Sequence, residues 1–334
     1  MAVLVLNFFI TLFASENPTF GNNLYKLINY LTLAIVIVVV AVPEGLPLSI
    51  GIALAYSTKK MKEHKILVKN LTSMEVMGQI EEVVTGKTGT MTSEDMRVAE
   101  WFAFGKVTQN NRLNTLTGSN LNQGWIDTLV NAIVFNTDAR VELDEEAKYV
   151  PVGQGTEVSF LSFLQDNQIP IHDKIRERYS NVLHVIPHTS HRGMMTVVAK
   201  HPTVEGKVRI TVKGAAEKLL NKCDKTFTED GELDGLSADD RSNLKNDVLA
   251  EWTNFEFTED GTPKGNAYRS ILFAYKDMAL EEFESAKESS EGFQSEESRQ
   301  ILESELALIA VLALDNPLKD KVAHAVKVGS QGHL

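Results

Sequence analysis

The sequence predicts a chain of more than one domain, with a membrane-spanning helix ahead of a soluble α/β part. Three observations carry this. Between Leu27 and Tyr56 there is a single charge, Glu44, in thirty residues, enough apolar length for a helix to cross a bilayer. The run Ile80-Glu81-Glu82-Val83-Val84 reads as a strand feeding the loop Thr85–Thr90, the position where α/β domains place their chemistry. Leu306–Leu314, LALIAVLAL, is a continuous apolar stretch of the kind seen in parallel strands buried on both faces.

The chain has 334 residues, 43% of them hydrophobic, enough for two domains with real cores. Its net charge of -12 argues against nucleic acid as a partner, because a phosphate-binding surface needs clustered Lys and Arg. Cys223 is the single cysteine, so no internal disulfide forms, and a structural, half-buried thiol is expected there.

Residues 2–14 are apolar but shorter than the roughly 20 residues a spanning helix needs. They read either as a signal-peptide core, although no basic residue precedes them, or as the second half of a spanning helix. After the long span come Lys59, Lys60, Lys62, Lys65 and Lys69, which place that flank in the cytoplasm and Ser15–Lys26 on the opposite side. Inside the span, Val42-Pro43-Glu44-Gly45-Leu46-Pro47 predicts a break in the helical ladder. The freed carbonyls of Val39, Val40 and Val42, with the Glu44 carboxylate, are hard oxygen donors suited to calcium, and such groups are tolerated at that depth only in a cavity or on an ion. A proline kink with Glu44 protonated or snorkelling is the plainer alternative, and the same donors suit sodium or proton transport.

Further on, Thr72 and Glu75 have capping-box spacing. The loop itself reads Thr85-Gly86-Lys87-Thr88-Gly89-Thr90. Gly-Lys-Thr after a strand could end a phosphate-cradling Walker A loop, but the first glycine of that motif would fall on Glu81, whose carboxylate repels phosphate.

These segments carry a resemblance. Thr85–Thr90 resembles the Asp-Lys-Thr-Gly-Thr phosphorylation motif of P-type ATPases, with Gly86 at the position of the phosphoacceptor aspartate. Val42–Pro47 resembles the ion-binding break of the family's fourth transmembrane helix, and Leu54–Met61 is similar to plasma-membrane-type calcium ATPases in particular. The resemblance implies transmembrane α-helices, a split α/β (Rossmann-like, haloacid-dehalogenase-like) phosphorylation domain and an inserted α+β nucleotide-binding domain. It implies a membrane segment over 1–57, holding the end of the third helix and the fourth. The first part of the phosphorylation domain follows over 58–97, the nucleotide-binding domain over 98–302, and the second part begins at 303–334.

Four patches match the nucleotide-binding domain. In Gly153-Gln154-Gly155-Thr156-Glu157, Glu157 stands where the family contacts adenine. In Pro187–Met195, His188 replaces the aromatic that stacks on the base, Arg192 is retained and Gly193 replaces a lysine. Val212-Lys213-Gly214-Ala215 matches Lys-Gly-Ala, whose lysine lines the pocket and whose glycine allows close backbone approach. Tyr268–Tyr275 matches the strand whose arginine, Arg269 here, reaches the phosphates. His191 reads as a solvated surface histidine. The glutamate-rich stretch Leu280–Glu305 reads as a solvated helix and loop.

Asp315-Asn316-Pro317-Leu318-Lys319 resembles the hinge back into the phosphorylation domain. The family's magnesium-binding Gly-Asp-Gly-x-Asn-Asp motif is then expected beyond residue 334. By the resemblance the chain is the central fragment of an ATP-driven calcium pump, with ATP and magnesium as cofactors, calcium as the transported ion and the lipid bilayer as a partner. It is integral to the plasma membrane or an endomembrane, with 58–334 cytoplasmic. Lys87 neutralises phosphate charge, and Thr88 offers a hydroxyl to phosphate and a backbone carbonyl to magnesium. Glycine at position 86 has no nucleophile, so the chain is expected to bind ATP without forming the aspartyl phosphate. The alternative is a pseudo-ATPase, a nucleotide-sensing or scaffolding membrane protein. Calmodulin-type regulation of a longer parent is not readable in these residues.

Overall fold

The structure is a computed structural model that describes residue 10 and residues 20–93, 95–109, 111–113, 121–257 and 263–331. The chain divides into two compact units, one holding residues up to Val84 and from His324, the other Thr85–Ala323.

The first unit is dominated by α1, Phe20–Glu63. At 1.5 Å per residue it rises about 66 Å, roughly twice the hydrocarbon thickness of a bilayer. Among the described residues it is the one helix long and apolar enough to cross a membrane, and Leu31, Ile35, Val39 and Ile52 stand exposed along it. The expected break is not there: the helix runs through Pro43, Gly45 and Pro47. A proline removes only its own N–H, which leaves the carbonyls of Val39 and Pro43 without their usual donors. Those of Val40 and Val42 face N–H groups at Glu44 and Leu46 within the helix. The hydroxyls of Thr32, Ser49 and Thr58 donate to the carbonyls four residues back. The side chain of Glu44 lies outside the described structure, as do residues 2–14 apart from Ile10.

A short helix α2, Thr72–Met77, follows. Its cap is not Thr72. Asn70 Oδ1 accepts from the Thr72 N–H and hydroxyl at 3.1 and 2.8 Å, so the acceptor two residues back takes the role the spacing assigned to Thr72. The strand expected at Glu81–Val84 does not form. Val83 and Val84 are 71% and 95% exposed and pair with no strand among the described residues. A strand is defined by its neighbours, and an apolar-edged pentapeptide alone does not supply them.

The second unit is built on one sheet. In chain order its elements are β1 Arg97–Ala103, β2 Lys106–Thr108, α3 Gln123–Phe135, β3 Arg140–Leu143, β4 Tyr149–Val152, α4 Gly155–Asp166, α5 His172–Asn181, β5 Val182–Ile186, β6 Met194–Lys200, β7 Lys207–Ala215, α6 Ala216–Leu219, β8 Cys223–Phe227 and β9 Leu233–Gly235. Then come α7 Ala238–Asn243, a π turn at Leu244–Leu249, α8 Ala250–Thr253, β10 Glu256–Phe257, β11 Pro263–Lys264, β12 Arg269–Ala279, α9 Leu280–Ser289, α10 Glu296–Glu303 and β13 Leu306–Asp315; the last helix, α11 Val322–Gln331, belongs from His324 on to the first unit. The main sheet runs β2-β1-β13-β12-β7-β6-β5, with β8 beside β13 and β9 beside β8.

β13 explains the apolar run. Its side chains alternate between two cores: Ile309, Leu312 and Leu314 pack with Trp125, Phe160 and Phe273, while Leu308, Val311 and Ala313 pack with Val212, Trp252 and Phe283. A bulge opposite Phe273/Ala274 puts the neighbours Ile309 and Ala310 in the same core. The expectation of a parallel strand is corrected. β13 runs antiparallel to β1 and β12, and only the short β8 is parallel to it. Burial on both faces, rather than parallel pairing, dictates the unbroken apolar pattern. The sheet therefore extends past the expected boundary at residue 302. Cys223 is fully buried rather than half-buried, and that burial pushes its thiol up to about 12.

One close approach fixes the edge where the site forms. A Cβ placed on Gly214 would lie 2.7 Å from the Gly193 carbonyl oxygen and from Met194 Cβ. Only glycine lets β7 and β6 pair there, with Gly214 opposite Met194. Gly214→Ala is therefore expected to destabilise this unit by about 1–3 kcal/mol. Urea unfolding followed by tryptophan fluorescence measures this directly, because Trp101, Trp125 and Trp252 are all buried in it.

Candidate functional site

Asn122 starts the layer of helices over the site. Its Oδ1 accepts from the N–H groups of Gly124 and Trp125 and fixes the start of α3. At the other end of α3, the Asn136 amide donates to the carbonyls of Met195 and Thr211 at 3.1 and 3.0 Å, tying the helix to β6 and β7. Helix α4 opens at Gly155 with Glu157 in its first turn, where a carboxylate is favoured by the helix dipole.

Glu157 and Lys213 form a buried ion pair, with side chains 11% and 8% exposed, in which the Lys213 ammonium donates to both carboxylate oxygens. Burial draws the ammonium below its ordinary 10.5, and Glu157 pulls in the opposite direction. Lys213 Nζ also stands 6.0 Å from the centre of the Phe160 ring.

A cavity of about 380 Å³ opens over this pair. Glu157, His188, Lys213, Gly214 and Arg269, taken from four separate sequence patches, all line it. Met195, the last residue of the Pro187–Met195 patch, lines it too, with Asp138 and Phe160, which were not read from the sequence. Phe160 follows Glu157 by three residues and so shares its helix face, a signal that was available. Arg192 is not in the cavity. Its guanidinium donates to the Pro187 carbonyl at 2.7 Å and to buried Glu303, so it holds the 187–193 loop instead. His191 is exposed, as expected.

A second cavity, of about 550 Å³, is lined by Thr88, Ser93, Asp95, Gly153 and Thr156, and Arg269 belongs to both cavities. Gly86 and Lys87 line neither, and both are exposed. The loop turns on the Lys87 carbonyl, which accepts from Met91 and Thr92 N–H at 2.9 and 3.1 Å. It is tethered to the segment after β13: Ser93 N–H donates to Pro317 at 2.8 Å, Lys319 N–H to Met91 at 2.9 Å, and the Lys319 ammonium to Gly89. Two motifs more than two hundred residues apart in sequence thus meet. At Gly86 an added Cβ would meet nothing nearer than Thr90 Oγ1 at 3.4 Å.

Magnesium fits this loop poorly. Of the residues lining the Thr88 cavity, Asp95 is the one carboxylate, and no three His, Cys, Asp or Glu cluster as a metal site among the described residues.

Residues 125–321 match the family described as P-type ATPase, cytoplasmic domain N. That is more than half of the chain, and the chain belongs to the P-type ATPases. Among similar proteins are calcium-transporting ATPase 3, plasma membrane-type, of Oryza sativa subsp. japonica, 30% identical over 310 residues, covering 92% of this chain and 27% of that protein. Putative calcium-transporting ATPase 7, plasma membrane-type, of Arabidopsis thaliana is 30% identical over 92% of this chain and 28% of its own length. Calcium-transporting ATPase 2 of Cryptococcus neoformans var. grubii is 29% identical over 97% of this chain and 24% of its own. The chain thus spans about a quarter of the length of these relatives.

Removing the ammonium strands the Glu157 carboxylate, so Lys213→Met should cost about 3–5 kcal/mol at neutral pH. Below its folded-state pKa, Lys213 is charged in both states and the burial penalty is present in full. Between that value and 10.5 the unfolded chain binds more protons, so stability rises with pH. The parent protein should therefore gain stability relative to Lys213→Met as pH is raised from neutral towards 10.5, read from unfolding midpoints at a series of pH values.

Proposed function

We propose that residues 85–323 are the nucleotide-binding part of an ATP-driven calcium-transporting P-type ATPase polypeptide, and that this chain binds ATP without becoming phosphorylated. The observation that carries the reading is the convergence of Glu157, His188, Lys213, Gly214 and Arg269 on one cavity. Phe160 and Met195 give that cavity an apolar wall of the kind a purine base needs. Arg269 has no ion-pair partner among the described residues and is shared with the cavity that reaches Thr88. This supports a role for it on the phosphates.

An acyl phosphate requires a carboxylate at position 86, and glycine offers none. Lys87 and Thr88 keep a charge and a hydroxyl beside an acceptor that is gone. With a retained cavity and a lost acceptor, a nucleotide-sensing or scaffolding role for the membrane protein is the second reading. Helix α1 anchors the chain in a plasma membrane or endomembrane, with residues 58–334 on the cytoplasmic side. Calcium as the transported ion rests on the names of the relatives and on the oxygen donors of Val39, Val40, Val42 and Glu44. Since α1 is unbroken, that donor set would need the helix to open.

With labelled ATP, magnesium and calcium, the chain should yield no acid-stable, hydroxylamine-sensitive phosphoprotein, and a phosphoprotein would contradict the proposal. Calorimetry should record saturable ATP binding that Arg269→Ala weakens about tenfold or more, the worth of one charge-assisted hydrogen bond. Gly86→Asp fits the loop sterically and should change the unfolding midpoint little, within about 0.5 kcal/mol of stability.

A further inference from the structure

His188 lines the first cavity, yet it is exposed and its imidazole makes no hydrogen bond or ion pair among the described residues. Its place is therefore set by the backbone that carries it. That backbone is the loop between β5 and β6. The rest of this loop gives the cavity only Gly193, which has no side chain. Whatever holds the loop can act on a ligand in the cavity chiefly through His188.

Several ties hold the loop near β6. The Gly193 N–H donates to the Thr189 carbonyl at 2.8 Å, and the Ala215 N–H donates to the Gly193 carbonyl at 2.9 Å. The Lys218 ammonium donates to the His191 carbonyl at 3.0 Å. None of these reaches the peptide group between Pro187 and His188. Arg192 does: its Nη1 donates to the Pro187 carbonyl at 2.7 Å. Since the peptide group is planar, that bond sets the plane from which His188 departs.

A guanidinium can fix a peptide plane only if it is itself fixed. Glu303, the last residue of α10, does this. Its Oε1 accepts from Arg192 Nη2 and from the Thr196 hydroxyl, the latter at 2.6 Å. The side chains of Arg192 and Glu303 are 11% and 6% exposed, and Lys222 Nζ lies 3.9 Å from the second carboxylate oxygen. Stability does not call for such a pair, because an apolar set of the same shape commonly serves as well. An apolar set could not hold the Pro187 carbonyl.

We propose that Glu303 is a positioning residue for the nucleotide base. Through Arg192 and the Pro187 carbonyl it holds His188 at the angle from which the imidazole stacks on the purine. Neither Glu303 nor Arg192 lines the cavity, so both act through His188. The inference rests on the nucleotide-binding reading above and deepens it.

The test is a mutant cycle read by calorimetric titration of the full chain with ATP. His188→Ala should weaken binding about fivefold, the worth of one stacked ring. The triple variant Arg192→Met, Thr196→Val, Glu303→Met removes the polar network without stranding a charge or a hydroxyl, and its unfolding midpoint should stay close to the parent's. It should weaken ATP binding about threefold or more, and should weaken it no further when His188→Ala is already present. Arg192→Lys keeps a charge for Glu303 but lacks the fork that reaches Pro187 as well. It should reproduce the loss, and it answers the same question if the triple variant does not fold. ATP binding equal to the parent's in these variants would overturn the proposal and leave the nucleotide site standing. An equal loss with and without His188 would also overturn it, since the network would then act on the cavity as a whole. No saturable ATP binding by the parent would remove the nucleotide site and this inference together.

Discussion

The site depends on the meeting of Lys213 and Glu157. An ammonium on β7 and a carboxylate on α4 come together where neither side chain is more than 11% exposed, and each makes the other's burial tolerable. The pair holds the first turn of α4 against the sheet. Phe160, one turn further along, packs edge-on against Phe273 of β12 with ring centres 5.1 Å apart. The floor of the cavity is set by Gly214, which admits the backbone of the preceding strand, and its mouth by Arg269 at the start of β12. Those parts are rigid because each lies on a strand or helix end packed against the two cores.

A second constraint decides what this cavity faces. β1 and β13 lie side by side, so the chain enters and leaves the sheet at the same place. Arg97 donates to Asp315 at 3.1 and 2.9 Å across that closure. The loop before β1 and the segment after β13 are then close enough for Lys319 and Pro317 to hold Met91, Gly89 and Ser93. Thr88 is brought to a cavity that contains Arg269 because two strands at opposite ends of the insertion pair with each other.

Much of this was legible in the sequence where a local pattern has a local cause. The thirty-residue apolar span became a helix, the apolar run became a doubly buried strand, and short motifs marked residues that converge. What was not legible needed a partner distant in the chain. Arg192 could be read as a ligand contact because nothing near it announces Glu303, its buried acceptor 111 residues later. Leu306–Leu314 looked parallel because burial on both faces was mistaken for its usual cause. The break at Pro43 and Pro47 was inferred from a missing donor, yet a helix can pass through prolines when most of its ladder survives.

Under the proposed function, one cavity, lined by Glu157, Lys213 and Arg269, receives the nucleotide. Hydrogen exchange of the full chain with and without ATP tests this most directly. Slowed exchange is expected, confined to the start of α4, the 187–195 loop, the end of β7 and the start of β12. Unchanged exchange at saturating ATP, or protection centred elsewhere in the chain, would contradict it.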